Sequence, residues 1–527
     1  MAGGSCSALP PAPFVDLGTS VGVLGGELGE STSLVASTKY LLTSQLFVPS
    51  GKSLTIPAGT TIYALPANIG SNAAPVIVVE SGGTINAQGT ASAPITMARE
   101  AQADAAIGHL DGFVAALEEL EEQQRFDNGE VLLREPIGVC GLITPWNWPI
   151  NQVVLKVLPV IATGCTCVLK PSEHTPISAM LYAEILHEAG VPAGVFNLVN
   201  GVGPLVGSAL SRHPGVQMMS FTGSTRAGTA VTRDAAESVK RVTLELGGKS
   251  PNLVFADCDL EARVTQSVAE CMFNTGQSCD APTRLVVERA CYDEAVEIAR
   301  RAAAMTEVGD PEQEGEHIGP LFDQIQFDRV QNMIQVGIDE GAKLVAGGLG
   351  RPEGFDAGWY VRPTIFADVN NAMRIAREEI FGPVLTIIPF DTEEEAVAIA
   401  NDTPYGLAAY VQTGSPDRAA RVSRALRAGA VHINGGAYEY GSPFGGYKAS
   451  GNGREGGEMG LEDLLEHRWS HTVSFYGAGG SDADDQPTQH GLDYGLFDRH
   501  KLQQYWLGRG EGMTWHQDSV DRIELKA

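Results

Sequence analysis

Long apolar runs, clustered cations and a cysteine framework are all missing from this 527-residue sequence. The run from Val153 to Val160 is broken by Lys156 and Pro159. A membrane-spanning helix needs roughly 20 apolar residues, so no membrane partner is expected. Lys and Arg total 36 against 64 Asp and Glu, for a net charge of −28. Phosphate backbones are held by concentrated cations, so nucleic acid is excluded as a partner. The eight cysteines show no regular spacing, which suits free thiols in a reducing compartment, here the cytoplasm. Cys165 and Cys167 lie in an apolar run and read as small buried side chains on a strand, not as metal ligands. No metal site is expected. The first ten residues have neither the basic start nor the apolar stretch of a secretory signal, so none is expected.

What is present changes character along the chain. Residues 1–97 hold few charges: Asp16, Glu27, Glu30, Glu80, Lys39 and Lys52. Short β-branched stretches alternate with Gly and Pro, a strand pattern. The stretch from Val48 to Thr60 resembles that from Val79 to Thr90, at an offset of 30 to 31 residues. Such a period predicts stacked coils of a β-solenoid, and the segment resembles the start of a right-handed β-helix. The spacing of Ala103, Ala106, Leu110, Phe113 and Leu117 predicts a helix over 98–122, with Gly108 and Gly112 counting against it. Strands then alternate with helices to about residue 467, which predicts α/β architecture with parallel sheets. Residues 477–487 read as a linker, and the end of the chain carries Trp506 and Trp515 without a motif.

Chemistry concentrates in a few places. Cys279 lies in FNTGQSCDAPTR, from Phe273 to Arg284, and a thiolate is the best side-chain nucleophile near neutral pH. Glu245 lies in TLELGGKSP among Leu244, Leu246 and glycines, where a carboxylate could have a raised pKa and activate water. Asn147 lies in TPWNWP, and its amide suits an oxyanion donor. Taken singly, a buried structural thiol, an exposed strand-end Glu and a turn Asn are the commoner readings. Gly223 and Ser224 follow the apolar stretch from Val216 to Phe221 and open a helix, a place for pyrophosphate. Lys170 and Glu173 end a strand where a doubly wound sheet reads ribose. Glu379 in EIFGP pairs a carboxylate with Phe381, suited to a second ribose and its base.

In this order, and with PFGGYK before Glu455, the motifs resemble the aldehyde dehydrogenase superfamily from about residue 98 to 467. The resemblance implies a Rossmann-type cofactor domain over 98–247, with oligomerisation strands near 123–135. It implies an α/β catalytic domain over 248–449 and a return to the cofactor domain and pairing strand over 450–475. Residues 1–97 and 476–527 depart from the family. By the same resemblance Cys279 attacks the aldehyde, Asn147 holds the oxyanion and Glu245 activates water, while Lys156 and Glu455 assist proton traffic. Ile143, Thr144, Pro145, Trp146, Lys170, Ser172, Glu173, Gly203, Phe221, Thr222, Gly223, Ser224, Leu246, Gly247, Glu379 and Phe381 align with cofactor contacts. Glu173 favours NAD over NADP, because it would repel a 2′-phosphate. A homodimer or homotetramer oxidising a small aldehyde to an acid is expected. Glu245 favours hydrolysis over transfer to coenzyme A. The competing reading is a surface or adhesive mosaic whose dehydrogenase core is a relic.

Overall fold

The computed structural model describes residues 100–470 apart from 128, 129, 312, 314 and 437, together with seven strands between residues 21 and 87. The linker expected over 477–487, Trp506 and Trp515 lie outside the described residues. The chain divides into two compact units, with the division between residues 95 and 96.

Among the described residues of the first unit, every strand pairing is parallel. Val21–Glu27 pairs with Lys39–Val48, which pairs in turn with Thr61–Ala64 and Ile77–Val79. Thr32–Ser33, Ser53–Ile56 and Thr84–Ala87 form a second ladder. Ser53 faces Thr84 and Leu54 faces Ile85, so the sequence repeat is realised as strand-on-strand stacking, as a solenoid requires.

The second unit opens with the helix Glu100–Glu119. Ala106, Phe113, Leu110 and Leu117 pack from it into one core with Val153, Val157 and Leu461. Gly108 and Gly112 do not interrupt the helix; they let another segment touch it. A Cβ on Gly108 would lie 2.2 Å from the Tyr440 ring, and one on Gly112 would lie 2.7 Å from the Gly441 backbone. Close approach outweighs the ordinary helical cost of glycine, about 1 kcal/mol.

Two sheets follow. The first runs Phe196–Leu198, Thr166–Lys170, Val139–Ile143, Met218–Thr222, Arg241–Glu245, all parallel, and is closed by Gly451–Asn452 in antiparallel pairing. Chain order reverses at Val139–Ile143, so a crevice opens beyond the carboxyl ends of that strand and Met218–Thr222. Cys140 and Cys167 are wholly buried here and Cys165 nearly so, the environment expected for small apolar side chains. The second sheet has seven strands centred on Arg284–Glu288 and Pro251–Val254; only Lys343–Ala346 at its edge is antiparallel. Gln123–Arg125, Val131–Pro136 and Leu465–Ser470 form a separate antiparallel sheet. Trp469 on its edge stacks on Phe126 at 5.1 Å and stays half exposed.

Candidate active site

Cys279 follows a tight turn in which Asn274 and Thr275 hold φ of 51° and 57° and Gly276 holds +70°. Gly276 is required twice over, since a Cβ there would meet Gly382 O at 2.2 Å. The turn is tied to the loop after Val139–Ile143. Asn147 Nδ2 donates to Gln277 O at 2.9 Å, and Asn274 Nδ2 donates to Asn147 O at 3.0 Å. Trp148 Nε1 donates to Ser278 Oγ at 3.0 Å. Gln277 spans further, donating to Asn274 O and accepting from Phe322 N. Asn147 and Cys279 are thereby held on adjoining loops, each partly exposed. Asn274 was not singled out from the sequence, although a left-handed Asn beside the nucleophile is the kind of local signal that marks a constrained turn.

Burial pushes the Cys279 thiol well above its ordinary value, and the carboxylates of Asp280, Glu245 and Glu379 push the same way. Burial first and the negative surroundings second therefore work against the thiolate form that the resemblance implies.

Glu245 ends its strand 4% exposed, and neither carboxylate oxygen has a hydrogen-bond partner. Burial raises its pKa well above the carboxylate range, and Glu455 adds to this; Lys156 and Arg454 oppose. The raised pKa anticipated from its apolar neighbours is present, and the exposed alternative is not. Gly445 makes room for it, since a Cβ there would approach Glu245 Oε1 to 2.7 Å. Lys156, buried on the helix Pro149–Ala162, bonds Ser220 Oγ at 2.8 Å and forms an ion pair with Glu455. Glu455 is 7% exposed, and its Oε2 has no partner.

The crevice carries the remaining residues. Ile143 and Thr144 are buried at the strand end, and Pro145 is partly buried beside them. Trp146 stacks on Phe322 at 4.3 Å and meets Phe381 edge-on at 5.5 Å. Lys170 Nζ donates to Glu173 Oε2 at 2.8 Å, and Gly203 N donates to Glu173 Oε1 at 3.1 Å. Burial works against ionisation of Glu173, yet Lys170 and these N–H donors bring it net below the usual value. Ser172 is buried next to this pair. Ser224 caps the helix Thr225–Ala235, its Oγ accepting from Ala227 N at 3.3 Å. Gly223 N donates to Glu245 O at 3.0 Å, and Phe221 packs against Gly223. Thr222 Oγ1 is buried without a partner. Leu246 is buried, while Gly247 presses against Glu379, whose Oε1 accepts from Gly248 N at 3.1 Å, and Gly248 presses against the Cys279 carbonyl. Phe381 holds a φ of 60°. Open space beside Gly203, the unpartnered Thr222 hydroxyl and a capped helix N-terminus together fit a dinucleotide.

Arg284, at the end of the cysteine stretch, acts as a clasp. Its guanidinium is fully buried and donates to Lys249 O, Asn371 Oδ1, Ile399 O and Ala400 O. Lys249 beside it escaped sequence reasoning. Its buried Nζ has no partner, and burial followed by the Arg284 charge lowers its pKa to about 7.

A parallel sheet with a switch-point crevice, opening beside a cysteine and a buried carboxylate, defines an α/β oxidoreductase. Residues 87–470 match the model of the aldehyde dehydrogenase family, and residues 26–116 match that of a pectate-lyase-like beta helix domain. The chain belongs to the aldehyde dehydrogenase family. It is 53% identical over 372 residues to 3-succinoylsemialdehyde-pyridine dehydrogenase of a Pseudomonas species, covering 71% of this chain and 78% of that one. Among solved structures it is similar to an aldehyde dehydrogenase from Bartonella henselae at 52% identity and a TM-score of 0.69, covering 70% and 78% of the two chains. It is likewise similar to a variant of aldehyde dehydrogenase C from Pseudomonas syringae complexed with NAD+ and octanal. There the identity is 51%, the TM-score 0.69 and the coverage 70% and 76%.

Proposed function

We propose that this chain oxidises an aldehyde to a carboxylic acid on Cys279, with NAD as the hydride acceptor. The observation that carries the reading is Glu245: a buried carboxyl without a partner, in the electrostatic field of Cys279. A carboxyl kept ready in this way serves as a base for water. Cys279 Sγ adds to the aldehyde carbon as the thiolate, its proton having passed to solvent water, so Glu245 stays free for the later step. The side-chain amide of Asn147 and the Cys279 N–H donate to the oxyanion, each worth about 3 kcal/mol. NAD supplies the site that takes the hydride, and its cationic ring favours the thiolate that the carboxylates disfavour. Glu245 then takes a proton from water as it attacks the thioacyl carbon, and Lys156 with Glu455 passes the proton on. Water is favoured over coenzyme A because Glu245 is present.

The ionised Glu173, paired with Lys170, supports NAD over NADP. The Pseudomonas syringae relative was solved with NAD+, which supports the same choice. We assign cofactor binding to 98–247 and catalysis to 248–449, with 450–475 returning to the first. The sheet that carries the half-exposed Trp469 supports a homodimer or homotetramer, and a monomer on size-exclusion chromatography would count against it. The seven described cysteines are free, which supports a cytoplasmic setting. No helix among the described residues is long and apolar enough to cross a membrane. The test is NADH formation from a panel of aliphatic and aromatic aldehydes, beside Cys279→Ala. Folded protein that is silent across the panel, or equal turnover by the variant, overturns the reading.

A further inference from the structure

The end of the helix Tyr292–Met305, the edge strand Lys343–Ala346 and the loop that runs on to Pro363 enclose a cleft of about 480 Å³. Small-molecule sites typically span about 300–1,000 Å³. None of its lining residues belongs to the cofactor crevice or to the groups around Cys279. Ala303, Val308, Val345, Phe355 and Pro363 give it apolar walls. Gly347 shapes them: it holds a φ of +74°, and a Cβ there would lie 2.3 Å from Pro363 O. The same segments leave Met305, Leu344 and Leu349 exposed, an unusual concentration of apolar surface in contact with water.

Three charged side chains line the cleft: Arg300, Arg362 and Glu353, all exposed. Arg300 already holds Glu297 through hydrogen bonds of 2.8 and 2.6 Å. Arg362 differs. Its Nε donates to Arg351 O at 2.9 Å, and among the described residues no acid pairs with it. Its two terminal nitrogens remain as a fork of donors. The anchor behind this fork is itself held, because Arg351 Nε donates to Gly358 O at 2.7 Å and its guanidinium lies 5.0 Å from the Phe327 ring.

We propose that this cleft binds a carboxylate on an apolar chain, with the head on Arg362 and the chain against Val345 and Phe355. Two arginines stand against Glu353, so the lining is positive by a single charge, and Glu297 already takes up Arg300. That balance suits a monoanion and not the double charge of a phosphate ester. A carboxylate meets a guanidinium fork with two parallel hydrogen bonds. An exposed ion pair alone contributes little, so the chain has to supply apolar contact as well. A carboxylic acid with an apolar body is also what the proposed reaction releases, which makes the cleft a second site for its own product. That naming of the source rests on the dehydrogenase reading; the binding does not.

The experiment is calorimetry on the full chain with octanoate, octanol and octyl phosphate as probes. Ala304→Trp, at an exposed lining position of the helix, fills the cleft and is expected to abolish its binding. The active site also accepts a carboxylate product, so the cleft's share is the binding that Ala304→Trp removes, and the probes are compared on that share. Octanoate is expected to bind about tenfold more tightly than octanol, the worth of hydrogen bonds to a charged group. Arg362→Met brings the two affinities level. Neither position touches the catalytic groups, so NADH formation from octanal is expected to match wild type in both variants. Octanoate binding untouched by Ala304→Trp, equal affinity for octanol, or tighter binding of octyl phosphate overturns the proposal. If octanal and the other aldehydes yield no NADH, the dehydrogenase reading fails separately, and the octanoate comparison still decides the cleft.

Discussion

Replacing Glu245 by Gln keeps the shape of the side chain and removes its ability to take a proton. The carboxyl is 4% exposed and makes no hydrogen bond, so the substitution breaks no contact, and the folded state is expected to survive it. General-base catalysis is worth about a hundred- to ten-thousandfold, or roughly 2.7–5.4 kcal/mol of barrier at 1.36 kcal/mol per decade. That loss falls on hydrolysis of the thioacyl enzyme, after the hydride has left. Rapid mixing of Glu245→Gln with aldehyde and NAD should therefore give a burst of NADH near one equivalent per site, then a slow steady state. Stability should change in the opposite direction. The raised pKa means that the folded protein binds this proton more tightly than the unfolded chain does. Wild-type stability therefore falls as pH climbs from the ordinary carboxylate range toward the higher folded value. Gln carries no such cost, so the variant should lose less melting temperature over that climb. Steady-state turnover equal to wild type would refute the base assignment, and an unchanged pH dependence of melting would refute the electrostatic argument.

Other outcomes follow from the same geometry. Because the Cys279 pKa is raised, alkylation by iodoacetamide without cofactor should still accelerate beyond about pH 9; a plateau below neutrality would contradict this. Lys156→Met strands the buried Glu455 carboxylate and should cost about 3–5 kcal/mol in urea unfolding; an unchanged midpoint would show that the pair is dispensable. Glu173→Gln removes the charge that faces a 2′-phosphate and should lower the KM for NADP by about tenfold or more. Equal cofactor preference in the two proteins would remove Glu173 from that role.

The sequence showed the architecture best where chemistry and local pattern coincide. Cys279, Asn147 and Glu245 sit in short stretches rich in turn formers, and the strand–helix alternation around them was plain. Gly108 and Gly112 misled in part, because propensity scores a glycine by its own helix and cannot register a loop arriving from residue 440. The Lys156–Glu455 pair joins residues far apart in the chain, so only the family resemblance brought them together. Arg284 and Lys249 show the same limit, since burial and partnering are properties of the packed interior. His109 is a lone histidine on a helix face with no local mark of its own. Its neighbours Tyr438, Tyr440 and Asn151 reach it from two other segments. The raised pKa of Cys279 was hidden because it depends on burial and on Glu245 and Glu379, which the fold brings to it from other segments.

The short strand Gly451–Asn452 closes the cofactor sheet beside Arg241–Glu245, pairing Leu244 with Asn452 and Glu245 with Gly451. The whole seven-stranded sheet lies between them in the chain. During synthesis from the N-terminus, the edge that holds Glu245 therefore stays unpaired until the ribosome has passed residue 452. An open strand edge is a template for wrong partners, and a pairing of such long range forms slowly. A nascent chain that stops short of residue 451 would carry Glu245 on a sheet whose edge cannot close. A strand made late in the chain thus completes the edge of a sheet begun at Val139.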